Sequence, residues 1–249
     1  MILVGDSGGM VMLGYKDTVP VTMDEMLTMC KSVRRGAPNK FLVGDMPKGS
    51  YEISNELAVS NAMRFVKEAG CDAIKLEGGV EIIERIKAIH QGGIATIGHI
   101  GLTPQSAGNL GGYRVIGRTK KEETKLLNSA KELEKAGAFA ILVEAVPPLI
   151  TKKITSSIDN LILGIGAGKF THGQLLILHD LLGLYGEFRP KFAKSFIREV
   201  IKEFYEKYEN YSLDFKTDGL RHLSKMAINE FIGSVKKQDF PNSTYSYSE

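Results

Sequence analysis

Seven apolar runs of strand length, at residues 2–6, 40–45, 72–77, 94–99, 138–144, 161–165 and 174–179, alternate along this chain with stretches of helical periodicity. In those stretches Met23, Met26, Leu27, Cys30 and Val33 repeat at helical spacing, as do Ala58, Ala62, Phe65, Val66 and Ala69. Ile82, Ile83, Ile86 and Ile89 carry a third helix, and Leu126, Leu127, Ala130 and Leu133 a fourth. A chain that repeats strand then helix in this way builds parallel βα units, because parallel neighbours need a crossover and a helix supplies it. The unit is visible twice in the letters themselves. "AGCDAIKLE" (69–77) and "AGAFAILVE" (136–144) both leave a helix through Ala-Gly, run through a buried strand and end on glutamate, with the glycine and glutamate seven positions apart in each. Gly70 and Gly137 stand where a helix C-terminus needs a residue free to take positive φ.

Parallel units either spread into an open, doubly wound sheet or close into a barrel, and the placing of polar residues separates the two. An open sheet gathers its ligand chemistry at one switch point. Here a polar side chain recurs at the end of strand after strand, as Asp6, Asp45, Glu77, His99 and Glu144. That is the layout of a TIM barrel, whose site collects residues from the C-terminal ends of many strands. At 249 residues, 43% of them hydrophobic, the chain has the length of one such barrel. A single α/β domain is therefore expected over 1–240, with 191–210 as a solvated or interface helix and 241–249 as a flexible tail.

Composition removes several classes of partner. The 32 basic and 29 acidic residues are spread along the whole length, so the net charge of +3 forms no basic stripe for nucleic acid. No apolar stretch approaches the ~20 residues of a membrane span, and the first residues lack the basic region of a signal peptide. Cys30 and Cys71, the two cysteines, fit no metal or redox spacing. A soluble, cytoplasmic protein without structural disulfides is expected.

In a closed barrel the strand-end side chains converge over one mouth. Several carboxylates there repel and raise each other's pKa values unless a cation sits among them, and an all-oxygen donor set favours a hard cation such as Mg²⁺ over zinc. Lys75 lies two residues before Glu77, on the same strand face, where its ammonium can meet a substrate carboxylate or a developing oxyanion. Glu144 stands apart as a candidate general acid or base, and His99 as a residue that bonds either a ligand or a neighbouring carbonyl. "GIGAG" (164–168) lacks the third glycine of a dinucleotide fingerprint and is read as a tight rim loop, and His179-Asp180 as a rim pair closing the last strand.

The motifs "LVGDSGGM", "SVRRGAPN", "VGDMPKGSY", "IKLEGG", "GHIGLTPQS", "GGYRVIGR", "LVEAVP", "GIGAG" and "PKFAKSF" resemble, in order and spacing, the ketopantoate hydroxymethyltransferase family from residue 2 to about 200. The resemblance implies a TIM barrel of the phosphoenolpyruvate/pyruvate type. It also implies transfer of a one-carbon unit from 5,10-methylenetetrahydrofolate to 3-methyl-2-oxobutanoate through a Mg²⁺-stabilised enolate, giving 2-dehydropantoate in the pathway to pantothenate and coenzyme A. Carried over by position, it places metal ligands at Asp6, Asp45 and Glu77, substrate contacts at Asp6, Ser7, Asp45 and Lys75, and the catalytic acid/base at Glu144. Gly8 and Lys48 depart from it, standing where the family has bulkier apolar residues. The resemblance further implies a large homo-oligomer, often a decamer. It makes the strand ending in Asp6 the second of its barrel, so the seven strands read here lack the first βα unit of an eight-stranded barrel. An aldolase or lyase acting on another 2-oxo acid, or a barrel that only binds one, fits the same acids; a requirement for methylenetetrahydrofolate discriminates.

Overall fold

The computed structural model describes residues 1–108, 111–186, 189–207 and 219–248. Seven strands pair in one wholly parallel sheet, in chain order: β1 (Ile2–Val4), β2 (Leu42–Asp45), β3 (Ala73–Glu77), β4 (Ala95–Gly101), β5 (Ala140–Glu144), β6 (Leu161–Ile165) and β7 (Gly173–Gln174). The helices are α1 (Gly8–Val11), α2 (Met23–Gly36), α3 (Asn55–Ala69), α4 (Ile83–Gln91), α5 (Lys120–Lys135), α6 (Pro148–Thr155), α7 (Leu178–Leu181), α8 (Phe196–Lys207) and α9 (Gly219–Lys236).

Local sequence sets the helix ends. Thr22 and Glu25 form a capping box at the start of α2, and Thr119 and Glu122 another at α5, each satisfying two backbone N–H groups that the helix cannot. Helix α3 stops at Gly70, whose φ of 67° lies in the left-handed region reserved largely for glycine.

Two apolar layers follow from the period of two along each strand. On the outer face Ile74, Leu76 and Ile141 pack with Leu27, Phe65, Ile86 and Leu133 of the helices. On the inner face Val43, Ala73, Ile97, Ala140, Leu142 and Leu163 form a second core. Leu3 of β1 and Leu175 just past β7 line one small interior cavity with Ile97 and Leu142, so the sheet curls far enough to bring its two edge strands to the same interior. A sheet curled in this way, with helices outside and a filled interior, has the architecture of a TIM barrel.

One expectation needs correction. The run 174–179 is not a strand: β7 is only Gly173–Gln174, Leu175 and Leu176 pack into the interior core, and His179 and Asp180 lie in the short helix α7 rather than at a strand end. The 191–210 stretch, expected as a solvated or interface helix, contains α8, whose Phe196 and Val200 bury against Leu223 and Ala227 of α9, and its residues 208–210 lie outside the described residues. In the 241–249 segment, expected as a flexible tail, Ser243–Tyr245 form a 3₁₀ turn, Tyr245 packs on Phe240, and Tyr247 meets Phe192 edge-on at 6.3 Å between ring centroids. Both cysteines are free and buried. Among the described residues no helix is long and apolar enough to cross a membrane.

Candidate active site

The ends of β1 to β5 deliver six ionisable side chains to one face of the sheet. Asp6 follows β1, Asp45 ends β2, Lys75 and Glu77 share the inner face of β3, His99 sits on β4 and Glu144 ends β5. The parallel register aligns them: Asp45 stands opposite Lys75, Glu77 opposite His99, and Gly101 opposite Glu144. All but Glu144 are almost wholly buried.

These groups form a continuous polar chain. The Lys75 ammonium lies 2.8 Å from Asp45 Oδ1, 3.4 Å from Glu77 Oε1 and 3.2 Å from His99 Nδ1. His99 Nε2 lies 3.2 Å from Glu144 Oε2. At the other end, the Asp6 backbone N–H donates to Asp45 Oδ2 at 3.1 Å. Sequence reasoning had left His99 between a ligand and a carbonyl; its partners are the two flanking glutamates and the lysine.

The electrostatics are those of an acid cluster with too little positive charge. Burial, and then the adjacent Asp45 charge, push the Asp6 carboxyl well above the usual range, with Lys75 and a hydrogen bond from Gln105 only partly offsetting them. Burial also raises Asp45, against the pull of Lys75. Burial opposes the Lys75 ammonium, yet Asp45, Glu77 and Asp6 together hold its pKa above the ordinary value. Glu77 ends below its usual range, because Lys75, His99 and the Gln105 backbone N–H outweigh its burial. For His99, burial and Lys75 disfavour the cation, and hydrogen bonding to Glu144 and Glu77 reverses the balance and raises its pKa.

A hard cation fits one part of this cluster. Asp45 Oδ1 is buried and meets the Lys75 ammonium at 2.8 Å, and Asp6 beside it is a carboxyl that burial and the Asp45 charge hold well above its usual range. Glu77 is likewise engaged at both oxygens: its Oε2 accepts from the Gln105 backbone N–H at 2.9 Å and its Oε1 is paired with Lys75 and His99. Among the described residues no three His, Cys, Asp or Glu side chains converge tightly enough to hold a metal by themselves. Asp6 and Asp45, adjacent at the ends of β1 and β2, are a pair of carboxylates of the kind that can hold Mg²⁺ together with water and substrate oxygens.

The sequence model of ketopantoate hydroxymethyltransferase matches residues 1–219. The chain belongs to the ketopantoate hydroxymethyltransferase family. Proteins named 3-methyl-2-oxobutanoate hydroxymethyltransferase are similar to it over most of their length. That of Alkaliphilus metalliredigens is 47% identical over 247 residues, covering 99% of this chain and 80% of its own. That of Heliobacterium modesticaldum is 52% identical over 196 residues, covering 79% and 71%, and that of Thermotoga maritima 46% identical over 249 residues, covering 100% and 84%.

Within the ketopantoate hydroxymethyltransferase frame, the departures and omissions acquire locations. Gly8 backs onto Met29, whose sulfur lies 2.7 Å from where a Cβ would sit, so the methionine fills the space of the bulkier residue expected there. Lys48 pairs with Glu52 at 3.0 Å. Ser7 opens α1 with no capping bond from its side chain. Four residues of the mouth were not singled out from sequence. Gln105 and Tyr51 are buried between the acids. Tyr113 and Tyr247 lie nearer solvent; burial, followed by acids that include Glu144, raises both phenols. "GLTPQS" and "GGYRVIGR" contained Gln105 and Tyr113, but neither residue type titrates near neutral pH or marks a strand end.

Proposed function

We propose that the protein transfers a hydroxymethyl unit from 5,10-methylenetetrahydrofolate to 3-methyl-2-oxobutanoate to give 2-dehydropantoate, a step toward pantothenate. The observation that carries this reading is the join between two halves of the site: Lys75 and His99 link the acid pair Asp6 and Asp45 to Glu144 through contacts of 2.8 to 3.2 Å. Enolising a 2-oxo acid needs both halves, one to stabilise charge on the oxo oxygen and one to take the proton from C3.

Asp6 and Asp45 would hold Mg²⁺, whose chemistry when bound is to withdraw electron density from the carboxylate and 2-oxo group of the ketoacid. Glu77, engaged by Lys75 and Gln105, acts from behind through its charge. Lys75 places an ammonium beside the oxo oxygen and so stabilises negative charge as it develops there. Glu144 accepts the C3 proton, and His99 Nε2–H fixes the carboxylate that does so. C3 then bonds to the one-carbon unit, water supplies the hydroxyl oxygen, and the folate nitrogens regain hydrogen as the unit leaves. Ser7, beside Asp6, would contact the substrate. Homo-oligomerisation, to a decamer on the family pattern, and a cytoplasmic location belong to the same proposal.

The test is product formation from ketoacid, Mg²⁺ and methylenetetrahydrofolate, read by mass spectrometry. Formation of 2-dehydropantoate only when the folate is present supports the reading. Turnover of a 2-oxo acid without folate points instead to an aldolase or lyase.

A further inference from the structure

Between the acids of β1 and β3 runs a set of hydrogen bonds that the proposed chemistry does not use. Gln105, in the 3₁₀ turn Pro104–Ser106 after β4, is buried and donates from Nε2 to Asp6 Oδ2 and to the Met46 carbonyl, each at 2.9 Å. Its backbone N–H donates to Glu77 Oε2, also at 2.9 Å. The hydroxyl of Tyr51, itself buried, donates to Gln105 Oε1 at 2.7 Å and accepts from the Glu77 backbone N–H at 3.3 Å. The orientation of the amide is fixed by chemistry. A backbone carbonyl can only accept, so the amide atom facing Met46 is the nitrogen, and the oxygen is left to face Tyr51.

A glutamine buried for packing alone would spend its bonds on backbone groups. The side chain of Gln105 instead bonds the Asp6 carboxylate as well as the Met46 carbonyl, and its backbone N–H bonds the Glu77 carboxylate. The Asp6 bond engages one oxygen of a carboxylate and restricts its rotation, and the Glu77 bond does the same on β3. A buried network satisfied at every member holds its side chains in one arrangement.

We infer that Gln105 is a positioning residue of this site: its side-chain amide holds Asp6 in the orientation in which it serves the cation, its backbone N–H steadies Glu77, and Tyr51 locks the amide. The inference rests on the function proposed above.

Gln105→Met keeps the length and volume of the side chain and removes both amide donors. Tyr51→Phe removes one oxygen and leaves the ring in its pocket. Parent, both single variants and the double variant are titrated calorimetrically with Mg²⁺ in the presence of 3-methyl-2-oxobutanoate, assayed for kcat and KM, and melted. Gln105→Met is expected to stay folded, to bind Mg²⁺ about tenfold more weakly or worse, and to lose kcat, as outer-shell partners of metal ligands typically do. Tyr51→Phe shifts the same quantities less. It adds less in the Gln105→Met background than in the parent, because part of the effect of the hydroxyl passes through the amide. Parental Mg²⁺ affinity and kcat in a folded Gln105→Met overturn the inference and leave the proposed function standing. Should Gln105→Met fail to fold, Tyr51→Phe decides: weakened Mg²⁺ binding supports the inference and parental binding overturns it. A parent that binds no Mg²⁺ overturns the proposed function, and the inference with it.

Discussion

Glu144 Oε2 and His99 Nε2 lie 3.2 Å apart, and the other ring nitrogen of His99 lies 3.2 Å from Lys75 Nζ. One imidazole thus spans from the candidate base to the candidate oxyanion partner. Glu144→Gln keeps the shape but cannot take a proton, so turnover should fall by about a hundredfold or more while ketoacid binding stays near that of the parent. Stopped assays and calorimetry on one preparation check both halves. Turnover within a few-fold of the parent would make Glu144 structural.

Asp45→Asn removes a charge from the mouth while leaving the core layers untouched. It should remain folded and lose Mg²⁺ binding in the presence of ketoacid, because it removes the charge of one of the two adjacent carboxylates proposed to hold the cation. Calorimetric titration reads this directly, and unchanged binding removes Asp45 from the donor set.

Gly101 ties β4 to the Glu144 end of β5. Its φ is 95°, and a Cβ there would sit 2.1 Å from the Glu144 carbonyl oxygen, to which the next residue, Leu102, donates its N–H at 2.9 Å. Gly101→Ala therefore has to move the backbone of Glu144. A loss of about 2 kcal/mol or more, read as a lower melting temperature, should come with a fall in kcat larger than destabilisation alone explains. Parental melting and kcat would refute the tie.

Asp72 sets a pH dependence of stability away from the site. Its Oδ2 accepts from the Leu42 backbone N–H at 2.8 Å and from Arg34 at 2.6 Å, and these bonds, the backbone one foremost, hold its carboxyl below the usual range against partial burial. A carboxyl depressed on folding contributes stability above its unfolded pKa of about 4, and that contribution is lost as pH falls through the folded value. Asp72→Asn should therefore melt lower than the parent at pH 7. The gap is about 2–4 °C, corresponding to about 1 kcal/mol once solvent screening of this half-exposed side chain is allowed for. It should close near pH 3. A gap that widens on acidification contradicts the assignment.

What could be read from the letters was what buried parallel strands advertise. Asp45, Glu77 and Glu144 end their strands within the expected runs, and the "AGCDAIKLE" and "AGAFAILVE" repeats place Gly70 and Gly137 at positive φ and Glu77 and Glu144 at equivalent strand ends. The run at 174–179 misled because a short apolar segment has no period of its own, and Leu175 and Leu176 are buried as interior packing rather than as strand. Gln105 was hidden for a different reason. It lies in a loop, carries no charge, and its importance comes from Asp6, Tyr51 and Glu77, which are distant in sequence and adjacent only in the fold. The terminal tyrosines read as a loose tail because composition cannot reveal that Phe192 and Phe240 leave places for them.

The central claim is that Asp6 and Asp45 on one side and Glu144 on the other together remove the C3 proton of a 2-oxo acid. NMR measurement of deuterium incorporation at C3 of 3-methyl-2-oxobutanoate in D₂O, without folate, isolates that step. The account predicts exchange that requires both the protein and Mg²⁺ and that falls by about a hundredfold in Glu144→Gln. Exchange that proceeds equally without Mg²⁺, or at the parental rate in Glu144→Gln, would contradict it.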